Sequence, residues 1–337
     1  MVDLIAIKNV RIPRLKSIKE GIPKNPEYMH GDNHLINRLY VHWDITTVCN
    51  FKCSYCYARR DYLPKNQWMK TSDFTKMKLV IKSLEKSTLP VFLGLLGGEP
   101  TLHPKFYEIL EILNEDFINK HQDNRIYVTS NLSTDKFKDI PIYKNNKYLC
   151  SLHFEYKSIY GENFEKFFEN LEILLNKNYQ TRVNFLLLPD SKYWDDIHKV
   201  CEKLKSYKIV EVHPHFLYYD PCDKTSLFDY TEDFYNEFRY MNDNKDFVYK
   251  EGDNYHMLSD IEIFENHLNR FKGWECYNNN YEISWDGKVT NICKTEYTDL
   301  SNNPLFFKNI KDIKPMICPY KECNCDGLLK IYKKRIK

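Results

Sequence analysis

No apolar run in this 337-residue chain is long enough to cross a bilayer. The longest, VFLGLL at 91–96, falls far short, and the N-terminal MVDLIAIKNVRIPRL lacks the uninterrupted apolar core of a secretory signal. Neither sign of charge is in excess. Lys and Arg number 49 against 47 Asp and Glu, and a net +2 exerts no broad pull toward nucleic acid. There is no internal repeat and no low-complexity linker, and glycine is scarce, at ten residues. These absences predict a cytoplasmic protein with no membrane partner. Disulfides do not persist in a reducing compartment, so eleven cysteines, an odd number, point to metal ligands or buried thiols. Hydrophobic residues at 42% and aromatics at 15% supply a substantial folded core.

Apolar and β-branched runs at 39–46, 91–100, 125–131, 148–156, 181–189 and 210–219 read as strands. Helical spacing fills the intervals, as in TSDFTKMKLVIKSLEK (71–86), opening on Thr and Ser caps, and NFEKFFENLEILLNKN (163–178). Such units make a parallel sheet with right-handed crossovers, and six of them fall short of a closed eight-stranded barrel. The expected fold is α/β: a partial (β/α)6 barrel over 39–221 with a small C-terminal cysteine-rich extension. Residues 1–38 are expected as an N-terminal extension and 222–272 as a polar helical bridge without a clear strand. Residues 273–337 carry the cysteine-rich extension and a basic tail, LLKIYKKRIK, read as a solvated final helix. In YEISWDGKVTNIC, Asp286-Gly287 suits a type I′ hairpin turn.

Three cysteines, Cys49, Cys53 and Cys56, crowd into TTVCNFKCSYCYA directly after the first strand. A closed structural zinc site takes four ligands, whereas a cubane iron–sulfur cluster takes one thiolate per iron. Three thiolates therefore leave one iron open to a further ligand. At the end of the second strand stands GGEP, Gly97 to Pro100, and three of the ten glycines (Gly94, Gly97, Gly98) fall within five positions there. Glycine lets a ligand approach the backbone closely, and Glu99 offers a carboxylate to an ammonium.

The C-x3-C-x2-C spacing with Tyr55 before the third cysteine resembles the signature of the radical S-adenosylmethionine (SAM) superfamily, and GGEP resembles its second motif. The resemblance implies a [4Fe–4S] cluster on Cys49, Cys53 and Cys56, whose open iron is chelated by the amino and carboxylate groups of SAM. Gly97, Gly98 and Glu99 would hold the SAM amino group. Ser130 and Asn131, ending the third strand, would lie at the ribose. Ser151 matches the Ser of the family's S-x-D-G pattern, although His153 stands where the Asp would be and no Gly follows.

Five further cysteines, Cys276, Cys293, Cys318, Cys323 and Cys325, resemble the SPASM and shorter twitch extensions that hold auxiliary [4Fe–4S] clusters. Five thiols suffice for one such cluster, and zinc is the competing occupant. Cys150, Cys201 and Cys222 read as buried or incidental thiols. His153 and Glu155, sharing a strand face with Ser151, are the candidate catalytic pair for deprotonating a substrate, and His213 and His215 share a face of the last strand. Trp43 and Asp44 read as packing near the cysteine loop.

The reading is a radical SAM enzyme that abstracts hydrogen from a polar, sugar-like small molecule in an oxidation or epimerisation. A flavodoxin- or ferredoxin-type reductase is the implied electron donor. The alternative is a maturase modifying a ribosomally made peptide. The 48 residues before Cys49 are too few for a leader-binding winged helix, which tilts the expectation toward the small molecule. A non-enzymatic zinc or iron–sulfur nucleic-acid-binding protein is the distant alternative, opposed by the neutral charge and by GGEP.

Overall fold

The computed structural model describes residues 19–31, 36–56, 69–143, 145–207, 210–219, 227–239, 245–291, 293, 296–324 and 329–336. No helix among them is long and apolar enough to cross a membrane. Cys222 and Cys325 lie outside the described residues.

Six parallel strands follow one another in chain order: β2 (Leu39–Thr46), β3 (Val91–Gly97), β4 (Arg125–Ser130), β5 (Asn146–Leu152), β6 (Gln180–Leu187) and β7 (Val210–Phe216). On the far side of β2 the sheet continues through β11 (Asn280–Ile283), which runs parallel to it, and then antiparallel β12 (Lys288–Asn291) and β13 (Glu296–Asp299). The architecture is mixed α/β.

Alternation along the strands decides which face is covered. In β2 the side chains of Leu39, Val41, Trp43 and Ile45 are fully buried, while Tyr40, His42 and Asp44 point the other way and are half-buried. The apolar face packs with helices such as Phe74–Glu85, which contributes Met77, Val80, Ile81 and Leu84, and Glu165–Asn176, which contributes Phe167, Leu171 and Leu174. Parallel strands covered on both faces are nearly continuously apolar, so the polar alternation here leaves the second face for other work. Trp43 accordingly belongs to the core and Asp44 to the polar face.

Helix Phe74–Glu85 is capped not by Thr71 or Ser72 but by Asp73, whose side chain accepts from Lys76 N at 2.8 Å. The two hydroxyls are occupied elsewhere. Thr71 Oγ1 meets Thr46 Oγ1 at 2.8 Å, and Ser72 Oγ donates to the Trp285 carbonyl at 2.5 Å. The hairpin after β11 is not type I′. Its loop is Ser284–Gly287, and of Asp286 and Gly287 only the glycine has a positive φ, 87°.

A second, antiparallel sheet runs in the order β14 (Met316–Ile317), β10 (Glu275–Cys276), β15 (Lys333–Lys334), β1 (Tyr28–Gly31), β8 (Phe247–Glu251), β9 (Asn254–Leu258). Two expectations are corrected here. The segment read as a strandless bridge contains the β8–β9 hairpin, whose five-residue strands FVYKE and NYHML are too short to show a sustained alternation. The basic tail is no solvated helix, because Leu329, Ile331, Tyr332 and Lys333 are buried where β15 slots between β1 and β10. Cys150 and Cys201 are buried thiols, as expected.

Candidate functional site

The loop after β2 carries Cys49, Cys53 and Cys56 and is fastened from three strand ends. Behind it lies the glycine pair. Gly98 N donates to Thr46 O and Glu99 N to Val48 O, both at 2.8 Å. A Cβ on Gly97 would sit 1.9 Å from Thr46 O, and one on Gly98 2.3 Å from Val48 O. Gly97 also has φ 135°, outside the range of ordinary side-chain-bearing residues. The close approach these glycines permit is therefore, first, that of the cysteine loop's own backbone.

Glu99 is 1% exposed and bonded throughout. Its Oε1 accepts from Thr101 Oγ1 (2.6 Å), Thr101 N (3.1 Å) and Ser130 Oγ (2.9 Å), and its Oε2 from Asn131 N at 2.7 Å. Burial raises its pKa, against the lowering effect of those donors. Asn131 in turn donates to Asn50 Oδ1 at 3.1 Å, so the end of β4 reaches the cysteine loop.

From β5 come His153 and Glu155, but not in the expected strand register. β5 ends at Leu152, and the chain turns into a 3-10 segment at Phe154–Tyr156. His153 Nδ1 lies 2.9 Å from Tyr55 OH and 3.4 Å from Cys53 Sγ, its ring stacked on Tyr55 and edge-on to Phe51. Glu155 accepts from Ser54 N at 3.0 Å and Ser54 Oγ at 2.5 Å. Among the described contacts no hydrogen bond joins His153 to Glu155, and each grips the cysteine loop separately. Burial pushes the His153 pKa down to about 4 and, with Cys56, Glu155 and Cys49 nearby, pushes the Cys53 thiol well up.

Phe51 and Tyr156 complete the clamp, with rings parallel to within 3° and centroids 4.0 Å apart, and the Tyr156 hydroxyl accepting from Lys52 N. The sequence offers Tyr156, beside His153 and Glu155 in SLHFEY, as a candidate for substrate contact and does not pair it with Phe51. An aromatic at each position was the available signal.

One cavity of about 280 Å³ gathers these groups. Its lining includes Cys49, Cys53, Cys56, Tyr55 and His153 together with Gly97, Gly98, Glu99, Ser130, Asn131 and Ser151. Three thiols of one short loop beside a glycine-rich strand end form a donor set that fits an iron–sulfur core with one corner free. A second cavity, about 190 Å³ and mainly polar, adjoins the first through His215, Phe216 and Tyr218, and holds Arg182, Asn184 and His213 on its sheet wall.

The second cysteine group collects in the other sheet. Cys276 and Cys318 are buried in its small core, and Cys323 packs against them. The Cys293 thiol is within charge range of Cys323 and Cys318. The Cys276 thiol is likewise within charge range of Cys323, Cys318 and Cys293. Among the described residues no group of three His, Cys, Asp or Glu side chains is already gathered as for a single metal ion.

Residues 43–204 match the family model described as the radical SAM superfamily. Over 77 residues the chain is 32% identical to GTP 3',8-cyclase of Pasteurella multocida (strain Pm70), covering 23% of this chain and 22% of that protein. Over 84 residues it is 27% identical to the S-adenosylmethionine-dependent nucleotide dehydratase of Fibrobacter sp. (strain UWH6), 24% of this chain and 25% of that one. The chain thus spans about a quarter of the length of these curated relatives. The solved structure of native anSMEcpe with bound AdoMet shares the fold at TM-score 0.50 and 15% identity, over 81% of this chain and 80% of that one. The cysteine loop and the glycine-rich strand end both lie inside the span that matches the radical SAM superfamily model, a superfamily of enzymes.

Proposed function

We propose that this enzyme cleaves SAM reductively and uses the resulting 5′-deoxyadenosyl radical to abstract hydrogen from a polar small molecule. The superfamily implies SAM and a [4Fe–4S] cluster. The observation that carries the reading is the single cavity into which Cys49, Cys53 and Cys56 open together with Gly97–Glu99, Ser130, Asn131 and Ser151. A cluster held by the three thiolates supplies one low-potential electron and an open iron for the SAM amino acid moiety.

The chain's own residues do the rest. Backbone at Gly97 and Gly98 leaves room beside the loop, and Glu99 ties together the ends of β3 and β4. The Ser151 hydroxyl makes no hydrogen bond to a described residue and lines the cavity, so it can donate to SAM. His153 and Glu155 act as positioning groups for the cysteine loop.

The adjoining polar cavity, with Arg182, Asn184 and His213, supports a polar substrate. The names of the two curated relatives, both of which concern nucleotides, point the same way. The second cysteine group is read as an auxiliary twitch-like metal site, and the C-terminal extension and partial barrel as parts of the same architecture.

The test is anaerobic reconstitution followed by reduction with dithionite in the presence of SAM. The wild type should hold roughly eight irons per chain and form 5′-deoxyadenosine, and Ala at Cys49, Cys53 and Cys56 should halve the iron and abolish that product. A triple variant that still forms 5′-deoxyadenosine would overturn the assignment. Deuterium transfer from labelled nucleosides and sugars into 5′-deoxyadenosine then identifies the substrate.

A further inference from the structure

His153 reaches the cysteine loop from the end of β5 through one nitrogen. Its Nδ1 lies 3.4 Å from Cys53 Sγ and 2.9 Å from Tyr55 OH. Two rings fix the imidazole plane. Tyr55 stacks on it, with planes 7° apart and centroids 6.0 Å apart, and Phe51 meets it edge-on, at 80° and 5.6 Å. The backbone is held as well, since His153 O accepts from Tyr156 N at 3.1 Å where the 3-10 segment begins. Phe51 and Tyr55 are both buried, so little water competes for that nitrogen. Nε2 makes no hydrogen bond to a described residue, which leaves the neighbours of Nδ1 to set the tautomer. Of those two acceptors, an anionic sulfur draws a proton more strongly than a neutral hydroxyl, so Nδ1 carries the hydrogen once Cys53 is a thiolate. Cys49 Sγ accepts from Phe51 N at 3.4 Å, a donor of the loop itself. The His153 donor comes from another strand end and can be removed without altering the loop's own backbone.

We propose that His153 donates from Nδ1 to the Cys53 sulfur when the loop holds its iron–sulfur cluster, and that this bond raises the reduction potential of the cluster. A donor aimed at a thiolate ligand stabilises the reduced, more negative core over the oxidised one, and hydrogen bonds to sulfur are among the levers that set such potentials. Among aromatic rings the bond is electrostatically stronger than in water. His153 acts through Cys53 and is therefore a positioning residue. This inference rests on the reading of Cys49, Cys53 and Cys56 as the ligands of that cluster.

The experiment uses the full chain, reconstituted anaerobically with iron and sulfide in the absence of SAM. The electron paramagnetic resonance signal of the reduced protein that disappears when Cys49, Cys53 and Cys56 are replaced by Ala belongs to the loop, and its midpoint is read potentiometrically. His153→Phe keeps a ring beside Tyr55 and Phe51 but has no donor. Its midpoint should fall by about 59 mV, a roughly tenfold change in the ratio of oxidised to reduced cluster at a given potential. His153→Leu carries the same expectation and guards against a ring that the loop does not accommodate. His153→Asn returns an N–H near the place of Nδ1 without the ring, and it should hold the wild-type midpoint. A wild-type midpoint in both donor-less variants would overturn the inference while leaving the cluster site standing. A fall in His153→Asn equal to that in His153→Phe would do the same, because packing and not the donor would then be the cause. A wild-type chain with no loop-dependent signal overturns the reading of the loop and the inference with it.

Discussion

The carboxylate of Glu99 accepts the backbone N–H of Asn131, 32 residues further along the chain, at 2.7 Å. That bond, with those from Thr101 and Ser130, makes a buried charge the tie between two strand ends. Glu99→Gln keeps the shape but replaces one acceptor oxygen by a donor facing a donor. Hydrogen bonds to charged groups contribute about 1.5–3 kcal/mol each, so the variant should lose about 2–4 kcal/mol of unfolding free energy in urea. SAM affinity, measured by equilibrium dialysis, should fall more than roughly tenfold as the strand ends separate. If stability falls while SAM affinity holds, Glu99 is a strut and not part of the binding surface.

The two glycines before it make a sharper claim about backbone. Alanine at 98 puts a Cβ 2.3 Å from Val48 O, and alanine at 97 puts one 1.9 Å from Thr46 O at φ 135°. Both should break the hydrogen bonds that hold the cysteine loop against β3 and cost about 2–4 kcal/mol. Gly252 is the control. It also has a positive φ, 56°, but nothing lies within 4 Å of its Cβ position, so alanine there should cost only about 1 kcal/mol. Urea unfolding of the metal-free chain compares the three, and equal losses at 98 and 252 would refute the crowding argument.

How much of this was legible beforehand depended on where the information sat. Strand β2 was readable to the residue at 39–46, because its apolar alternation is strict and bounded by loop residues. GGEP and the cysteine triplet stood out because few residue types can serve there. The partners of Glu99 were not readable, since Thr101 and Ser130 are ordinary hydroxyls until the fold brings them together. His153 and Glu155 were placed on a strand face by reading the strand on to residue 156, four residues past the end of β5 at Leu152. Nothing in SLHFEY marks that the strand stops at Leu152. Lys333 was hidden in a tail whose charge reads as solvated, and its burial is set by β1, which lies about 300 residues earlier in the chain.

The clamp on the cysteine loop can be loosened without touching a thiol. Glu155→Ala removes the acceptor for Ser54 N and Oγ, and Tyr156→Ala removes the ring stacked on Phe51. An aromatic pair adds about 0.5–1.5 kcal/mol beyond area burial, and Glu155 is exposed enough that its bonds contribute modestly to global stability. The expected outcome is a near-normal thermal midpoint with iron at the first site lost roughly tenfold faster to a chelator. Normal iron retention in the double variant would show that the loop holds its shape unaided.

Asp44 is tested through pH. Burial and the charge of Glu282 push its carboxyl up to about 7, while burial pushes the neighbouring His42 down to about 4. Below the unfolded carboxyl pKa of about 3.9 both states of Asp44 are protonated, and it does not affect stability. Between about 4 and 7 the unfolded chain ionises while the folded one keeps its proton, so stability falls as pH rises and the whole penalty is present above 7. His42 acts oppositely: its folded state releases the proton, and stability falls as pH drops from about 6.5 toward 4. Asp44→Asn removes only the first effect. Its gain over wild type should be near zero at pH 4, grow through pH 7, and level off on the order of 2–4 kcal/mol at pH 8. Glu282→Gln, which leaves Asp44 in place, should shift that window to lower pH. A gain from Asp44→Asn that is the same at pH 4 and pH 8 would mean the carboxyl is as well solvated in the fold as in the unfolded chain.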